Sequence, residues 1–415
     1  MAGVSDLEAL MSAGKTAGLS RRQFLERASL AGITAGTTLL HGHPLLAQAP
    51  HRPTNVRVAL GFVPASGCSL AGAIKDGSTL TITKNGGGFG TKPYDAKPLL
   101  WMPFDTSATP SSLGRVTSGA VADHFTYSAS GGSDSGGCYV GDASDGVNTN
   151  AWTIRLDSDA WAGSTYDWNS YGQRTYVHRK AKKTFRHYDF NDDSTKNIKI
   201  LRIWNIGTRY PNIYLAGSDG RFGQEGLNSP YQDYTMPYSV RSSADGIANA
   251  WYVEEFQIKA NSGGTTADAD FRWYVNGSGP LCQFPNTSWM VNRLTFKNPS
   301  GDANDGRIRR LYAVHYVVEG NPPAWIPTPA GNRYYADDIY VDDSWCRVML
   351  SDETEWPTSA GTGAGTSTRE IQIPTAWSDT SVSFVLRQGQ HAILSGKTLY
   401  VVVADGTALK VGSFV

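Results

Sequence analysis

The sequence has no excess of charge of either sign and, beyond its first fifty residues, no long tract of helical period. Its 37 Lys and Arg residues equal its 37 Asp and Glu residues in number. No overall electrostatic field therefore favours nucleic acid or an anionic membrane as a partner. Any charged ligand must be recognised by a local site.

Cysteines at metal-binding spacing are also absent. The four cysteines are far apart in the sequence: Cys68, Cys138, Cys282 and Cys346. A zinc site built from thiolates usually has closely spaced pairs, so this class of site is not expected. An oxidising compartment would permit one or two disulfides, and the spacing does not select a pairing.

What the sequence does contain is glycine, aromatic residues and many short alternating segments. It has 45 glycines, 11% aromatic and 40% hydrophobic residues among 415, enough for a substantial core. The alternating segments are separated by Gly, Asn, Asp and Pro, as is typical of strands joined by turns. The sequence therefore predicts an all-β globular protein.

The N-terminal region differs from the rest. Residues 20–40, SRRQFLERASLAGITAGTTLL, place Arg21 and Arg22 before a weakly apolar run, and the sequence Ala-Gln-Ala ends at Ala49. This resembles a twin-arginine export signal, which implies removal of residues 1–49 and a periplasmic or secreted protein. A stable membrane anchor needs roughly 20 apolar residues, so we expect no stable membrane insertion. An ordinary amphipathic helix is the alternative.

Two segments near the ends of the chain share one resemblance. The stretch KDGSTLTITKNGGGFGTKP (75–93) is similar to the opening of an IPT/TIG-type immunoglobulin-like domain. The match is carried by Gly77, Thr81, Ile82, Gly88, Phe89 and Gly90. Residues 369–406 resemble the later strands of such a domain. The resemblance implies one small β-sandwich split between residues 55–95 and 346–415, or alternatively two separate β-modules.

The glycine-rich stretch at residues 86–90 does not fit a phosphate-binding loop. Such a loop opens a helix and is usually followed by Lys-Ser/Thr, whereas Thr91-Lys92-Pro93 leads into an extended segment here. We therefore predict a turn.

Residues 96–345 contain repeated strand-like runs. The stretches DFRWYVNG (270–277) and YADDIYVDD (335–343) resemble those of a concanavalin A-like or laminin-G-like jelly roll. In that fold the first and last strands are neighbours, so residues 99–105 are expected to pair near 335–343. This arrangement also brings the two ends of the insert together, as an interrupted small sandwich requires.

One strand combines residues suited to acid–base chemistry. In QRTYVHRK (173–180), alternation places Arg174, Tyr176 and His178 on one face. A β-elimination lyase for uronic acid polymers needs a cation for the carboxylate, a base and an acid, and jelly-roll lyases are similar in using such groups. We assign these roles to the three residues and to Arg202. The alternative is an exposed face of mixed charge beside the basic stretch that follows.

Aromatic side chains supply candidate sugar-stacking platforms. The candidates are Trp204, Tyr214, Trp251 and Trp273. A large aromatic residue in a sandwich is also a common core residue, which is the alternative for each. Glu254 and Glu255 are adjacent, so they face opposite sides of their strand and only one can belong to a given site.

Four aspartates lie in the stretch NRYYADDIYVDDSW (332–345). Alternation places Asp337 and Asp343 on the side of the core, where we expect them to mark strand ends near water. Asp338 and Asp342 lie on the other side, about 13 Å apart at 3.3 Å per residue. A retaining glycosidase needs carboxyl groups about 5 Å apart, so they are a poor catalytic pair. A structural role and a structural calcium site remain the two interpretations.

These patterns together predict an exported protein that engages extracellular polysaccharide. The leading hypothesis is a β-elimination lyase acting on uronate-containing glycans, with no cofactor other than calcium. Its rival is a non-catalytic carbohydrate-binding, adhesion or structural surface module, because one fold hosts all these functions.

Overall fold

The computed structural model describes just over half of the chain. The described residues are 61–105, 107, 109–116, 121–123, 125–134, 136–142, 153–157, 174–184, 197–204, 212–216, 221–224, 249–259, 270–277, 282–283, 310–314, 333–357 and 365–415. The export-signal prediction lies outside them. All regular elements in these ranges are strands, 22 in number. Within these ranges there is no helix of the length and apolarity needed to cross a bilayer.

Strands from both ends of the chain form one small sandwich. It is built from β1 (Phe62–Pro64), β2 (Cys68–Ala71), β3 (Thr79–Lys84), β18 (Arg347–Ser351), β19 (Arg369–Trp377), β20 (Ser381–Val385), β21 (Thr398–Val402) and β22 (Ala408–Phe414). They are paired in the order β1-β22-β21-β18-β19-β20-β3-β2. The flanking segments therefore make a single β-structure, and not two modules.

Strand β19 joins the two layers of the small sandwich. Its first half pairs with β18 and its second half, beyond Gln372, pairs with β20, with a register shift next to Pro374. Apolar residues from both layers alternate inward along their strands and form one buried core. The core residues are Leu80, Ile82, Phe89, Val348, Leu350, Val382, Phe384, Leu386, Leu394, Leu399, Val401, Val411 and Phe414.

The intervening residues form two antiparallel sheets, which we call the large sandwich. One sheet has the order β15-β14-β13-β9-β17-β7-β6, with β4 also pairing β17, and the other has the order β12-β11-β10-β16-β8-β5. The first sheet contains β4 (Leu100–Met102), β6 (Phe125–Ser128), β7 (Cys138–Asp142), β9 (Arg174–Lys183), β13 (Tyr252–Lys259), β14 (Asp270–Val275), β15 (Cys282–Gln283) and β17 (Arg333–Asp342). The second contains β5 (Val121–Asp123), β8 (Thr153–Asp157), β10 (Asn197–Trp204), β11 (Asn212–Ala216), β12 (Arg221–Gln224) and β16 (Arg310–Val314).

The first and last strands of the large sandwich are neighbours, as predicted. Trp101 of β4 lies opposite Tyr340 of β17. This pairing returns the chain to the point at which it left the small sandwich. The predicted all-β fold, a jelly-roll sandwich inserted into a smaller one, is confirmed, while the IPT/TIG resemblance and the residue boundaries stay predictions.

The outer face of the small sandwich packs on the large one. Met349 and Tyr400 alternate with the core residues of their own strands. Together with Ile371 they join a second buried cluster that contains Tyr176 and Tyr340 of the large sandwich. Strands β9 and β13 are consequently buried on both faces along most of their length.

Strand β17 contains a bulge that changes the predicted alternation. Its register with β9 shifts between Asp337 and Tyr340, and Asp338 has a φ of 47°. Asp337 and Asp343 are buried, so the expectation that both lie near water is wrong. The backbone N–H of Ser133 donates to Asp337, and Arg115 forms an ion pair with Asp343.

The glycine-rich stretch is a turn whose backbone already binds a carboxylate. The N–H groups of Gly88 and Gly90 both donate to the carboxylate of Asp379. A side chain at Gly87 would collide with that same carboxylate. Of the cysteines, Cys68, Cys138 and Cys346 are free thiols, and the side chain of Cys282 lies outside the described part.

Candidate functional site

The three predicted catalytic residues of β9 lie on one face, and we call them the β9 row. The row points toward the small sandwich, not toward an open trough. Tyr176 and His178 have no exposed surface, and Arg174 at the start of the strand is half-buried with its guanidinium 5.3 Å from the ring centre of Trp345. The shared open surface predicted for them is not found, because residues of the small sandwich cover it.

The hydroxyl of Tyr176 is engaged within this interface. It donates a 2.8 Å hydrogen bond to the carboxylate of Glu255, which lies on the next strand, β13. Burial, followed by the charge of Glu255, raises the pKa of Tyr176 well above its ordinary value. Glu254 accepts a hydrogen bond from Arg179 on the opposite face of the sheet. The prediction that Glu254 and Glu255 face opposite sides of their strand is therefore confirmed.

Two arginines of the small sandwich reach across to Glu255. Arg369 lies 3.2 Å from one carboxylate oxygen and Arg347 lies 3.6 Å from the other. Burial raises the pKa of Glu255, but the two guanidinium groups outweigh it, so the pKa lies below its ordinary value. Arg369 also bonds to Glu353 at 2.6 Å and lies 4.1 Å from the ring centre of Trp356.

A second ion network continues along the same face. The Lys180 ammonium lies 2.7 Å from Asp338 on β17 and 2.8 Å from Glu370 on β19, so it joins both sandwiches. Burial lowers the pKa of Lys180, but these carboxylates outweigh it and the pKa lies above its usual range. The His178 ring lies 3.4 Å from the carbonyls of Asp338 and Arg369, and burial lowers its pKa.

Arg387 of the small sandwich enters an acidic pocket of the large one. Its guanidinium lies 3.0 Å from Asp338, 3.6 Å from Asp105 and 3.9 Å from Asp134, and 4.6 Å from the ring centre of Trp101. Burial raises the pKa of Asp105 to about 6, against the opposing effect of Arg387. We call these three aspartates the Arg387 pocket.

Asp342 belongs to a separate group of polar residues. Its carboxylate lies 2.8 Å from the ammonium of Lys92 and accepts a 2.9 Å hydrogen bond from the Tyr340 hydroxyl. Burial raises the pKa of Asp342 to about 7, although Lys92 opposes the shift. Tyr340 is itself fully buried.

Asp342 is expected to make stability depend on pH near neutrality. Its carboxyl group titrates near pH 3.9 in an unfolded chain, so the folded state holds the proton more tightly. The stability this adds is fully present below about pH 3.9 and is lost as the pH rises through the folded pKa. We expect the free energy of unfolding to fall less between about pH 6.5 and 8 in Asp342→Asn than in the wild type, as measured by chemical denaturation.

Asp352→Asn is the matched control for this experiment. Burial raises the pKa of Asp352, but a hydrogen bond from Lys397 and the charge of His391 outweigh it, so the pKa lies below its ordinary value. This carboxyl group does not titrate near neutrality, and the control should keep the wild-type slope. An unchanged slope in Asp342→Asn would contradict the prediction.

The structure gives both predicted calcium ligands cationic partners. Asp338 pairs with Lys180 and Arg387, and Asp342 pairs with Lys92, so the two aspartates belong to different ion networks. No cluster of three or more acidic, His or Cys ligands suited to a metal occurs in the described ranges. Calcium binding by Asp338 and Asp342 stays a prediction.

The other predicted residues are dispersed. Trp273 is fully buried and stacks on Phe256, with ring centres 6.0 Å apart, so it offers no platform to a ligand. Arg202 and Trp204 lie on β10 and Tyr214 lies on β11, in the six-stranded sheet and not in the sheet of the β9 row. The side chains of these three lie outside the described part. Trp251 alone among the predicted platforms is described and half-buried.

Trp251 lies in a group of residues that the sequence interpretation did not identify as a site. We call Lys182, Trp251 and Tyr335 the aromatic–lysine surface. All three residues are half-buried. The Lys182 ammonium lies 4.2 Å from the ring centre of Tyr335 and 5.1 Å from that of Trp251. The two-residue period that places His178 on this face continues to Lys182, although the basic composition of the stretch favours a solvated segment.

Comparison with known proteins gives no family. No family model and no curated protein matches the sequence. The solved structures that resemble parts of it include alginate lyase Aly36B, endo-beta-1,4-glucuronan lyase from the fungus Trichoderma reesei, and the botulinum neurotoxin type G receptor-binding domain.

These likenesses are remote. The alginate lyase is 14% identical with a TM-score of 0.30, over 60% of this chain and 98% of its own. The glucuronan lyase is 10% identical with a TM-score of 0.27, over 71% and 93%. The neurotoxin domain is 9% identical with a TM-score of 0.34, over 76% and 74%. With all three TM-scores below 0.5, they carry no information on what this chain binds or catalyses.

Proposed function

We propose that this protein binds extracellular polysaccharide without cleaving it. The observation that carries this proposal is the complete burial of Tyr176 and His178 beneath the small sandwich. In β-elimination the base and the acid must each come within hydrogen-bond reach of the sugar. Side chains with no exposed surface do not meet a polymer that arrives from solvent.

The charges on this face support the same conclusion. A uronate lyase must neutralise the sugar carboxylate with a cation or an amide. Arg369 is already paired with Glu255 and Glu353, and Lys180 is paired with Glu370. Releasing either cation for a substrate would leave a buried carboxylate without its partner, which is unfavourable.

A polysaccharide ligand is supported by two features. The large sandwich resembles a concanavalin A-like jelly roll, and the half-buried rings of Trp251 and Tyr335 lie on the sheet that carries the β9 row. Partly exposed aromatic rings provide rigid apolar area against which a sugar ring packs. The resemblance of residues 20–49 to an export signal supports a ligand outside the cell.

Incubation of the full chain with a panel of polyuronates tests the proposal. We expect binding to at least one of polymannuronate, polyguluronate, polygalacturonate or polyglucuronate in an affinity assay. We also expect no ultraviolet absorbance from unsaturated uronate ends, because the β9 row is covered. Absence of binding across the panel would contradict the proposal, and so would formation of unsaturated ends.

The second candidate is the lyase. It is favoured by the proximity of Tyr176 and Glu255, 2.8 Å apart, on the same face as His178. This function requires the small sandwich to move away from the β9 row. If unsaturated ends form, His178→Gln should abolish the activity. Thermal unfolding of the variant checks its fold, because His178 is fully buried.

A further inference from the structure

The face that carries the β9 row extends beyond the cover of the small sandwich. Lys180 and Lys182 follow His178 at intervals of two, so all three point to the same side of the sheet. Lys180 contacts Glu370 of the small sandwich and is fully buried, whereas Lys182 is half-buried. The boundary of the covered area therefore falls between these two lysines.

Strand pairing brings two aromatic residues to Lys182. Tyr335 of β17 lies directly opposite Lys182 in the ladder. Trp251 immediately precedes β13, whose first residue, Tyr252, lies opposite Ala181. The two rings meet edge to face, with centres 6.3 Å apart and planes at 67°.

Unlike Lys180, Lys182 has no anionic partner among the residues that the structure describes. Its ammonium contacts the two aromatic rings, and it forms no ion pair or hydrogen bond with the described residues. Burial lowers the pKa of Lys182, because partial removal of water disfavours the charged form. A carboxylate that arrived here would restore the electrostatic stabilisation that this cation has lost.

We propose that Lys182, Trp251 and Tyr335 form a binding subsite for a uronate residue of an acidic polysaccharide. The inference rests on the proposed function and adds the class of sugar and the residues that recognise it. The sugar carboxylate would pair with the Lys182 ammonium, and the C–H face of the ring would pack on Trp251 or Tyr335. The cation–π contacts hold the ammonium in position before the ligand binds.

The chemistry of the surface favours a uronate over other occupants. A neutral sugar would cover the rings but leave the Lys182 charge further desolvated and unpaired. Nucleic acid requires many basic residues along a phosphate backbone, and the chain has no net charge. A hexuronate carries one carboxylate on an otherwise largely uncharged ring, which matches one lysine between two aromatic rings.

Lys182→Met tests the subsite in the full chain. We expect about tenfold weaker binding to the polyuronate that the wild type binds best, which is the effect of losing roughly one charge-assisted contact. For the same polymer with its carboxyl groups reduced, the affinity of Lys182→Met should lie within twofold of that of the wild type. Lys182→Arg should retain most of the affinity of the wild type. The difference in affinity between the wild type and Lys182→Met should become smaller as salt is added.

Lys410→Met is the matched control, because Lys410 is an exposed lysine of β22 in the small sandwich. It should bind the polyuronate like the wild type, and thermal unfolding of each variant checks its fold. If the wild type binds a polyuronate and Lys182→Met binds it equally well, the subsite is wrong while the proposed function stands. If the wild type binds no polysaccharide, both are wrong.

Discussion

Lys180→Met is expected to lower the free energy of unfolding by about 3–5 kcal/mol, the range for breaking a buried ion pair. The substitution keeps much of the length and apolar volume of the side chain but removes its charge. Glu370 and Asp338, from the two sandwiches, would lose a partner at 2.8 Å and 2.7 Å respectively. Chemical denaturation of the full chain measures the loss.

Lys182→Met is the control on the same strand and the same face. Lys182 lies over two aromatic rings and has no ion pair with a described residue, so the loss of its charge should cost about 1 kcal/mol or less. Adding Glu370→Gln to Lys180→Met should recover part of the loss, because it removes one of the carboxylates left without a cation. Equal losses for the two lysine variants would show that the buried network does not stabilise the fold.

Much of the fold can be predicted from the sequence, because strand periodicity and turn residues are local properties. The alternation in residues 333–342 identifies β17, and the jelly-roll resemblance places it beside β4, as the Trp101–Tyr340 pairing shows. The return of the chain to the small sandwich follows from that pairing. These conclusions require only that the apolar residues of each strand lie on one face and that this face is buried.

The covered face could not be predicted, because periodicity separates the two faces of a strand but does not say what packs on the polar one. In β9 the polar face carries Tyr176, His178 and Lys180, which suggests contact with solvent or a ligand. His178 contacts the backbone carbonyl of Arg369 and Lys180 pairs with Glu370, and both partners follow almost two hundred residues later in the sequence. A buried network of charges is specified by tertiary contacts, which no local pattern reveals.

The bulge in β17 accounts for a further difference between the expected and the observed site. One extra residue lies between Asp337, which pairs with Lys180, and Tyr340, which pairs with His178, so strict alternation assigns Asp337 to the wrong face relative to Tyr340. The positive φ of Asp338 is tolerated there because Lys180 and Arg387 fix its carboxylate. Sequence alternation alone has no signal for such an insertion.

Arg387→Met should make the stability of this protein strongly dependent on pH. Removal of the guanidinium leaves Asp105, Asp134 and Asp338 close together with less positive charge to offset them. We expect a loss of roughly 3 kcal/mol near pH 8, at the lower end of the range for a buried ion pair because Arg387 is partly exposed. The loss should become smaller as the pH falls toward about 5.5, as measured by chemical denaturation at both values.

The sign of this effect follows from the pKa of Asp105. In the wild type, burial already raises that pKa to about 6, with Arg387 acting in the opposite direction. Without Arg387 the pKa rises further, so the folded state takes up a proton more readily than the unfolded chain. Stability is then lost as the pH rises through the folded pKa and is regained on acidification.

Two variants separate this mechanism from a simple loss of packing on Trp101. Arg387→Met combined with Asp105→Asn should lose less stability near pH 8 and vary less with pH, because the carboxyl group that takes up the proton is gone. Lys410→Met should change stability equally at both pH values, since its ion pair with Glu355 is exposed. If Arg387→Met loses the same amount at both values, its contribution lies in ring contact and not in its charge. The small sandwich would then be held at this pocket by packing on Trp101, without help from the carboxylates.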